Sequence, residues 1–357
     1  MTRIFLIRHA EAEGNLYRRA HGHYNGLVTK NGHAQIEFLR KRFENEKIDA
    51  VYSSDLKRTI TTASAIYIPH NLPLNTTEQL REVDMGAFED RPWGENDFYD
   101  PVMSRHFSYD PAKWQVEGSE DYYAVRKRMV ETITEIAKTH DGGTVAVFSH
   151  GFAIRALLCE ILGIESHEVT KMPYCDNTAV SLLTFENDSF KIEYQNDNSH
   201  LPVEISTFAK QSWWRSKKEH ARNNEHLRFL EFDEKRDDEL VRHLKAEMTA
   251  DFSADEMYTA LIKENSMGIL GFDTGEEHGN TGRIKILFTL PEFRRFEIDV
   301  QLLGHAVSRC RAKGKTFLDV FVMPDDDYAM EFYQNYGFEL KSQASDSPNL
   351  LEKDLYK

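Results

Sequence analysis

An arginine and a histidine stand side by side where the first apolar run of this sequence ends. The run Ile4-Phe5-Leu6-Ile7 leads directly into Arg8 and His9. A strand that ends in this way places a permanent cation beside a titratable nitrogen nucleophile at one edge of a sheet. The pair suits attack of an imidazole nitrogen on a phosphoryl group, whose charge the guanidinium stabilises. Taken alone, an Arg-His dipeptide is more often an ordinary surface feature.

Three later segments supply the partners that such a reaction needs. A strand ending near Ser53 precedes a helix whose first turn carries Arg58, and another strand runs into His150 and Gly151. Ligands bind open α/β sheets at the carboxyl ends of the strands. At that edge we expect Arg58 and the first N–H groups of the helix after His150 to bind an anion. Glu82, with a glycine four residues later, is a candidate general acid. Individually, Arg58 and Glu82 are better explained as solvated surface charges.

The elements that must position these residues alternate between strands and helices. Strands are predicted at 3–7, 50–53, 144–149, 180–185 and 190–195, and helices at 31–44, 54–66, 120–139 and 152–162. Short apolar runs separated by amphipathic helices indicate an α/β domain with three layers, α/β/α, in residues 1–200. Residues 86–120 break this pattern and are rich in aromatic side chains. They are either a lid or pocket wall, or a helical excursion with a small core of its own.

The alternation restarts after a polar stretch. Residues 201–224 are predicted to be an interdomain linker, with a charged helix over 210–224 that carries Trp213 and Trp214. In residues 225–357, strands are expected at 227–232, at 267–273 and 283–290 as a hairpin, at 316–322, and as a closing pair. Helices are expected at 237–248, 253–265, 298–313 and 328–336. This pattern indicates a second α/β domain with a mixed sheet.

Length and charge limit the classes of function. A chain of 357 residues is long enough for about two domains. Its net charge of −15 argues against nucleic acid or an anionic membrane as a partner, and an anionic substrate would require a locally positive pocket. Neither a membrane-spanning run nor a signal peptide is evident. Because three cysteines (Cys159, Cys175 and Cys310) cannot all pair internally, we expect a reducing, cytoplasmic setting. The sequence does not indicate an oligomeric state.

Residues 1–200 resemble the histidine phosphatase superfamily, which has the phosphoglycerate-mutase-like fold. The matching stretches are 6–11 with Asn15, 52–58, 80–82 with Gly86, and 149–151. The resemblance implies that His9 is the nucleophile that becomes phosphohistidine and that Glu82 is the proton donor. It also implies that Arg8, Arg58 and His150 bind the phosphoryl oxygens, with Asn15 as a further contact.

The activity that this resemblance implies is a phosphomonoesterase that acts on a small phosphorylated metabolite, needs no cofactor and uses no metal. A mutase that passes the phosphoryl group to a second hydroxyl is the alternative, and the short domain favours hydrolysis. A non-catalytic sensor of phosphorylated ligands is a third interpretation, which the intact nucleophile and acid argue against.

Residues 225–357 resemble the GNAT family of N-acetyltransferases in two stretches, 290–303 and 329–338. The resemblance implies a loop of small residues that offers backbone N–H groups to the pyrophosphate of acetyl-CoA, and it places Tyr333 where the family often has a proton-donating tyrosine. Glu297 and Asp299 stand at the two small-residue positions, and two carboxylates repel a pyrophosphate. We therefore expect a degenerate domain in which acetyl-CoA is a doubtful ligand, with a bifunctional phosphatase and acetyltransferase as the alternative. Tyr333 is better explained as a packed helix residue.

Overall fold

The computed structural model describes residues 1–211, 226–247, 253–344 and 347–357. The chain folds into two compact units. Unit 1 comprises Met1–Asn15, Arg19–Arg91 and Asp100–Lys217, and unit 2 comprises Leu16–Arg18, Pro92–Tyr99 and Lys218–Lys357. The domain boundaries that the sequence suggests near 200 and 225 stay a prediction. The helix expected at 210–224, with both of its tryptophans, lies outside the described residues except for its first two positions.

Unit 1 is built on a six-stranded sheet in the order β3-β2-β4-β1-β5-β6. The first four strands of this order run parallel, whereas β5 and β6 are antiparallel additions at one edge. The strands are β1 (Thr2–Arg8), β2 (Ala50–Ser54), β3 (Leu74–Thr77), β4 (Thr144–Ser149), β5 (Val180–Glu186) and β6 (Ser189–Asp197). Parallel strands with crossover helices are buried on both faces, which explains why β4 is buried along its whole length.

Helices cover both faces of this sheet. On one face, Phe5 and Ile7 of β1 share a core with Ile36 and Leu39, while on the other face two further helices contact each other and β1. Within the first 211 residues the helices are α1 (Glu13–Leu16), α2 (Lys30–Phe43), α3 (Lys57–Tyr67), α4 (Trp93–Tyr99), α5 (Pro101–Tyr109), α6 (Tyr122–Thr139), α7 (Gly151–Ile161) and α8 (Thr207–Lys210). The three-layer α/β/α architecture expected from the sequence is confirmed.

The aromatic insert contains α4, α5 and a short 3-10 turn at Pro111–Lys113. In unit 1, Trp114 is 2 % exposed and packs edge-on against Phe107, with ring centroids 5.1 Å apart. Phe107 in turn stacks on Phe152 of α7 at 5.0 Å. Residues 101–114 thus form a helical excursion whose aromatic cluster is shared with α7, and a role as lid or pocket wall stays a prediction.

Unit 2 contains a seven-stranded mixed sheet in the order β12-β13-β11-β10-β9-β8-β7. Neighbouring strands are antiparallel except β10 and β11, which pair in parallel from Thr281 to Ile284. The strands are β7 (Arg228–Glu231), β8 (Glu256–Ile262), β9 (Asn265–Asp273), β10 (Thr281–Thr289), β11 (Phe317–Val322), β12 (Glu339–Ala344) and β13 (Ser347–Asp354), and the described helices are α9 (Asp238–Glu247), α10 (Ile298–Ala312) and α11 (Asp327–Asn335). This matches the mixed sheet that the sequence predicted.

One prediction for unit 2 is wrong. Residues 253–265, expected to be a helix, contain β8, which pairs with β9 through a tight turn. Lys263 in that turn has a φ of 56°, a left-handed conformation that ends a strand rather than continuing a helix. Tyr258 and Thr259 are residue types that favour strands, and the pairing with both neighbours outweighs the apparent helical period.

No helix among the described residues combines the length and the apolar character that crossing a bilayer takes.

Candidate active site

The candidate site lies at the carboxyl ends of two neighbouring parallel strands. β1 and β4 pair with Arg8 opposite Ser149, so that the next residues, His9 and His150, leave the sheet side by side. Their ring centroids are 5.3 Å apart. β2 ends on the other side of β4 and leads into α3. The fold thus brings together the two histidines that the sequence singled out.

The backbone carbonyl group of the next residue holds His9 in one tautomer. Its Nδ1 atom lies 2.7 Å from the carbonyl oxygen of Ala10. Because a carbonyl oxygen only accepts hydrogen bonds, Nδ1 carries the proton and Nε2 of the neutral ring keeps its lone pair. Burial, together with the positive charges of Arg58 and Arg8, holds the pKa of His9 well below its usual range. At neutral pH the ring is therefore an uncharged nitrogen nucleophile.

Arg8 is placed between the end of a loop and the start of α7. Its Nη1 group donates to the carbonyl oxygen of Cys175 at 2.6 Å. A Cβ atom on Gly151 would lie 3.2 Å from Nε of Arg8 and 3.4 Å from its Cζ. Glycine at the first position of α7 therefore lets the guanidinium approach the helix start closely.

Arg58 is fully buried at the second position of α3. It donates from Nη1 to the carbonyl of Tyr24 at 2.8 Å, and from Nη2 to the carbonyls of Gly22 at 2.7 Å and His21 at 3.1 Å. Burial lowers the pKa of Arg58 to about 10, against the opposing effects of Glu82 and Glu89. The group therefore stays charged at neutral pH, as a buried cation fixed by a loop.

Buried polar atoms without a protein partner gather around His9. They belong to four described residues and are Nε of Arg8, Nε of Arg58, Nδ1 of His21 and both ring nitrogens of His150. Native structures rarely leave such atoms unsatisfied unless a ligand completes them. Burial and the charge of Arg58 hold the pKa of His150 well below its usual range. A neutral His150 donates from one ring nitrogen only, and a tetrahedral oxyanion presents enough acceptors for that N–H and for the Nε–H groups of Arg8 and Arg58.

His21 is a site residue that sequence reasoning missed. Its ring stands edge-on to His9 with centroids 5.6 Å apart, and burial and the charges of Arg58 and Arg8 lower its pKa well below the usual range. A Cβ atom on Gly14 would lie 2.2 Å from Cγ of His21, so that this ring rests against the glycine. The loop that carries His21 has no periodic pattern from which its position could be predicted.

Glu82 lies at the N-terminus of α7. Its Oε2 atom accepts from the N–H of Phe152 at 3.0 Å, and its Oε1 atom accepts from Ala153 at 2.9 Å and from Val83 at 3.1 Å. The sequence suggested that these first N–H groups of the helix face a bound anion. In the structure the carboxyl group of Glu82 occupies this position, bound to the N–H groups of the second and third residues after His150.

Asn15 reaches the site through a second asparagine. Its Oδ1 atom accepts from the N–H of Ala12 at 3.1 Å and from Nδ2 of Asn177 at 3.3 Å. The Nδ2 group of Asn177 also donates to the carbonyl oxygen of His9 at 2.9 Å. Asn15 is thus linked to the backbone of His9, and its expected contact with phosphate stays a prediction. Among the residues that the structure describes, no cluster of histidine, cysteine or acidic side chains suits a metal ion.

In unit 2, Tyr333 is a core residue. It is 6 % exposed, and its ring packs edge-on against Phe332 and Phe338 at 5.2 and 5.1 Å. Burial raises its pKa. These contacts fit the packed helix tyrosine that the sequence analysis offered as the alternative to a proton donor.

The start of α10 fits a pyrophosphate poorly. Glu297 precedes the helix with a φ of 57°, and Asp299 in the first turn accepts from the N–H of Val300 at 2.9 Å. Burial raises the pKa of Asp299. A carboxylate thus occupies part of the helix N-terminus, and a second one stands beside it. These residues do not form the open backbone cradle that a CoA pyrophosphate requires.

Comparison with known families gives two matches. The model described as histidine phosphatase superfamily (branch 1) matches residues 4–198, and the acetyltransferase (GNAT) family model matches residues 212–338. The two-domain fusion suggested by the sequence is thereby confirmed.

Individual relatives match the first part of the chain. Phosphoserine phosphatase 1 of Hydrogenobacter thermophilus is 30% identical over 56% of this chain and 95% of its own length. A probable phosphoglycerate mutase, GpmB of Yersinia pestis, is 26% identical over 57% of this chain and 96% of its own length. Among solved structures, YhfR of Bacillus stearothermophilus superimposes with a TM-score of 0.54 at 27% identity, covering 56% of this chain and 99% of that protein.

Proposed function

This chain belongs to the histidine phosphatase superfamily, and on that premise we propose that it is a metal-independent phosphomonoesterase that works through a phosphohistidine on His9. One observation carries the proposal. The Nδ1–H of a neutral, buried His9 is bound to the carbonyl of Ala10, which leaves Nε2 free for attack. Around it stand Arg8, Arg58 and His150, whose buried donors await acceptors.

In the first step, Nε2 of His9 attacks the phosphorus and the ester P–O bond breaks. Glu82, in its acid form, gives its proton to the leaving oxygen. In the second step a water molecule attacks the phosphohistidine, gives a proton to the Glu82 carboxylate, and the N–P bond breaks to release inorganic phosphate. The guanidinium groups of Arg8 and Arg58 balance the charge of the phosphoryl oxygens, so positioned cations supply the electrostatic stabilisation.

The test is hydrolysis of p-nitrophenyl phosphate in the presence of EDTA. We expect phosphate release from the full chain and a loss of about 10⁴-fold or more in the His9→Ala variant. His33→Ala, at an exposed position of α2, is the matched control and should keep full activity. Activity that survives in His9→Ala, or that EDTA removes, would contradict the proposal.

The substrate proposed is a small phosphorylated metabolite with an alkyl leaving group. One relative is named a phosphoserine phosphatase and another a probable phosphoglycerate mutase, so phosphoserine and phosphoglycerates are the first compounds to test. Faster exchange of phosphate between hydroxyls than release into solution would favour a mutase instead. The partners proposed include neither nucleic acid nor a membrane, because the chain carries a charge of −15.

A second activity in the GNAT domain is the alternative, and the family match over residues 212–338 supports it. Against it stand the carboxylates of Glu297 and Asp299 at the start of α10. We propose that acetyl-CoA does not bind there in the usual way, and isothermal titration with acetyl-CoA at millimolar concentration tests this. The three buried cysteines form no disulfide, which supports a reducing, cytoplasmic location.

A further inference from the structure

Glu82, the proposed proton donor, lies in a segment outside the helices and strands. The 3-10 turn Glu78–Leu80 ends two residues before Glu82, and residues 81–84 belong to no helix or strand. A general acid must be held within hydrogen-bond reach of the leaving oxygen. The carboxyl group of Glu82 is bound by the N–H groups of Phe152 and Ala153, whereas the backbone that carries it is held by side chains that bind the carbonyl groups around it.

Arg128 of α6 binds three carbonyl groups of this segment. Its Nη1 group donates to the carbonyl of Gln79 at 2.8 Å and to that of Arg81 at 2.7 Å, and its Nη2 group donates to the carbonyl of Glu82 at 3.0 Å. These contacts span 46 to 49 residues of sequence. A planar guanidinium fixes the acceptors that it bridges, which a lysine cannot do.

Glu120 orients that guanidinium. Its carboxylate accepts from Nε of Arg128 at 2.7 Å and from Nη2 at 2.8 Å. The side chains of Arg128 and Glu120 are 14% and 22% exposed, so the pair is mostly shielded from water. The backbone N–H of Glu120 also donates to the carbonyl of Asp84 at 3.0 Å. All five N–H bonds of Arg128 thus have acceptors, and the pair holds both sides of Glu82.

Two further contacts support the same segment from the side of the catalytic histidines. The Oγ–H of Ser149, the residue before His150, donates to the carbonyl of Leu80 at 2.8 Å. Nε2 of His23 lies 3.0 Å from the carbonyl oxygen of Glu82 and must be the donor. These contacts hold the segment against β4. Arg128 makes more hydrogen bonds to the segment than Ser149 or His23 does.

We propose that Arg128, oriented by Glu120, is a positioning residue that holds Glu82 at the leaving group during phosphoryl transfer. This inference rests on the proposed function. All three backbone contacts of Arg128 are with the segment that carries Glu82, although its charge also contributes to the low pKa of His150. Its removal should therefore matter most while Glu82 is able to donate a proton. Removing Arg128 should also lower the rate more for a basic leaving group, which needs the proton from Glu82, than for a weakly basic one.

A double-mutant cycle tests the first consequence. With an alkyl phosphate as substrate, we expect Arg128→Ala to lower kcat by about 10- to 100-fold, a part of what a general acid contributes. In a Glu82→Gln background the same substitution should lower kcat by less than about 3-fold. Equal losses in the two backgrounds would overturn the proposal.

A series of aryl phosphates with increasingly basic leaving groups tests the second consequence. The kcat/KM of Arg128→Ala should fall more steeply along the series than that of the wild type, as it should for Glu82→Gln. Glu120→Gln should show the same trend to a smaller extent, because it keeps one acceptor for Arg128. A uniform loss across the series would overturn the proposal.

Arg42→Ala is the matched control for a loss of fold stability. Arg42 is similarly shielded, with 16% of its side chain exposed, and it also binds a carboxylate and a carbonyl, both of Asp197. Its removal should cost comparable thermal stability without a steeper leaving-group dependence. Wild-type hydrolysis of p-nitrophenyl phosphate and its loss in His9→Ala decide the proposed function separately. A wild type that hydrolyses this ester while Arg128→Ala behaves like Arg42→Ala would refute only the positioning role.

Discussion

The Nδ1 atom of His9 lies 2.7 Å from the carbonyl oxygen of Ala10, the next residue in the chain. This contact assigns the ring proton to Nδ1 without any side-chain partner. Nε2 is therefore the reactive nitrogen for as long as the ring is neutral. Burial and the charges of Arg58 and Arg8 keep the ring neutral, and in the proposed mechanism the same cations bind the phosphoryl group that His9 attacks.

The pH dependence of catalysis should reflect this neutral ring. Burial and the charges of Arg58 and Arg8 hold the pKa of His9 well below its usual range, so attack should continue at pH values where an ordinary histidine, with a pKa of about 6.5, is protonated. The measurement is kcat/KM against pH, corrected for the second ionisation of the substrate phosphate. We expect the acid limb to lie well below the pKa of an ordinary histidine. A limb centred at about 6.5 or above would show an unperturbed nucleophile.

Stability should depend on pH in the same range. The native fold keeps His9, His21 and His150 neutral, and burial lowers the pKa of a fourth histidine, His200, to about 4. The unfolded chain, in contrast, binds protons at these positions below about pH 6.5. The free energy of unfolding should be fully present above that pH and fall as the pH is lowered, by about 1.4 kcal/mol per unit for each histidine that stays neutral.

Calorimetry between pH 7.5 and 5.5 measures this loss. The unfolding transition to follow is the one whose midpoint temperature rises when inorganic phosphate is added. His150→Gln removes one of the four groups and should reduce the slope by about a quarter. A transition that does not move over this range would contradict the burial of these neutral imidazoles.

Gly151 should be sensitive even to one methyl group. A Cβ atom at this position would lie 3.2 Å from Nε of Arg8, so that Gly151→Ala forces the guanidinium away by a few tenths of an ångström. We expect kcat/KM for p-nitrophenyl phosphate to fall by about 10-fold, while the thermal midpoint changes little, because small displacements of a catalytic group are costly. Activity equal to that of the wild type would show that Arg8 does not act from this position.

The GNAT domain should gain affinity for CoA when the carboxylates of Glu297 and Asp299 are removed from the start of α10. Glu297 adopts a left-handed conformation that favours glycine, so Glu297→Gly should fold well, and adding Asp299→Ala removes the carboxylate in the first turn. By isothermal titration we expect no binding of CoA to the wild type and measurable binding to the double variant. Tight binding by the wild type would show that the two carboxylates are no obstacle.

The sequence predicts that the two histidines meet because local rules suffice for this. An apolar run followed by a polar dipeptide identifies a strand end, and parallel strands place such ends at one edge, which brings His9 and His150 together. The same rules miss β3, because Leu74–Thr77 is short, polar and largely exposed. They also assign a helix to residues 253–265, where pairing with two neighbouring strands decides the conformation.

The parts that could not be predicted depend on contacts distant in sequence. The hydrogen bonds of Arg128 reach carbonyl groups 46 to 49 residues away, and nothing in the pattern of α6 distinguishes it from the other charged residues of that helix. The contact of His21 with Gly14 likewise arises from how a loop folds back. The family resemblance predicts Glu82 as the proton donor, but its place at the start of α7 follows only from the three-dimensional fold.

The most direct test of the account is to identify the phosphorylated residue. Rapid acid-free quenching of the full chain with a phosphomonoester, followed by proteolysis and mass spectrometry, should find one phosphoryl group on the peptide that contains His9. The modification should be labile to acid and stable to base, and Glu82→Gln should make it accumulate if hydrolysis of the intermediate also needs this residue. A turning-over enzyme that carries no phosphoryl group on His9, or carries it on another residue, would contradict the account.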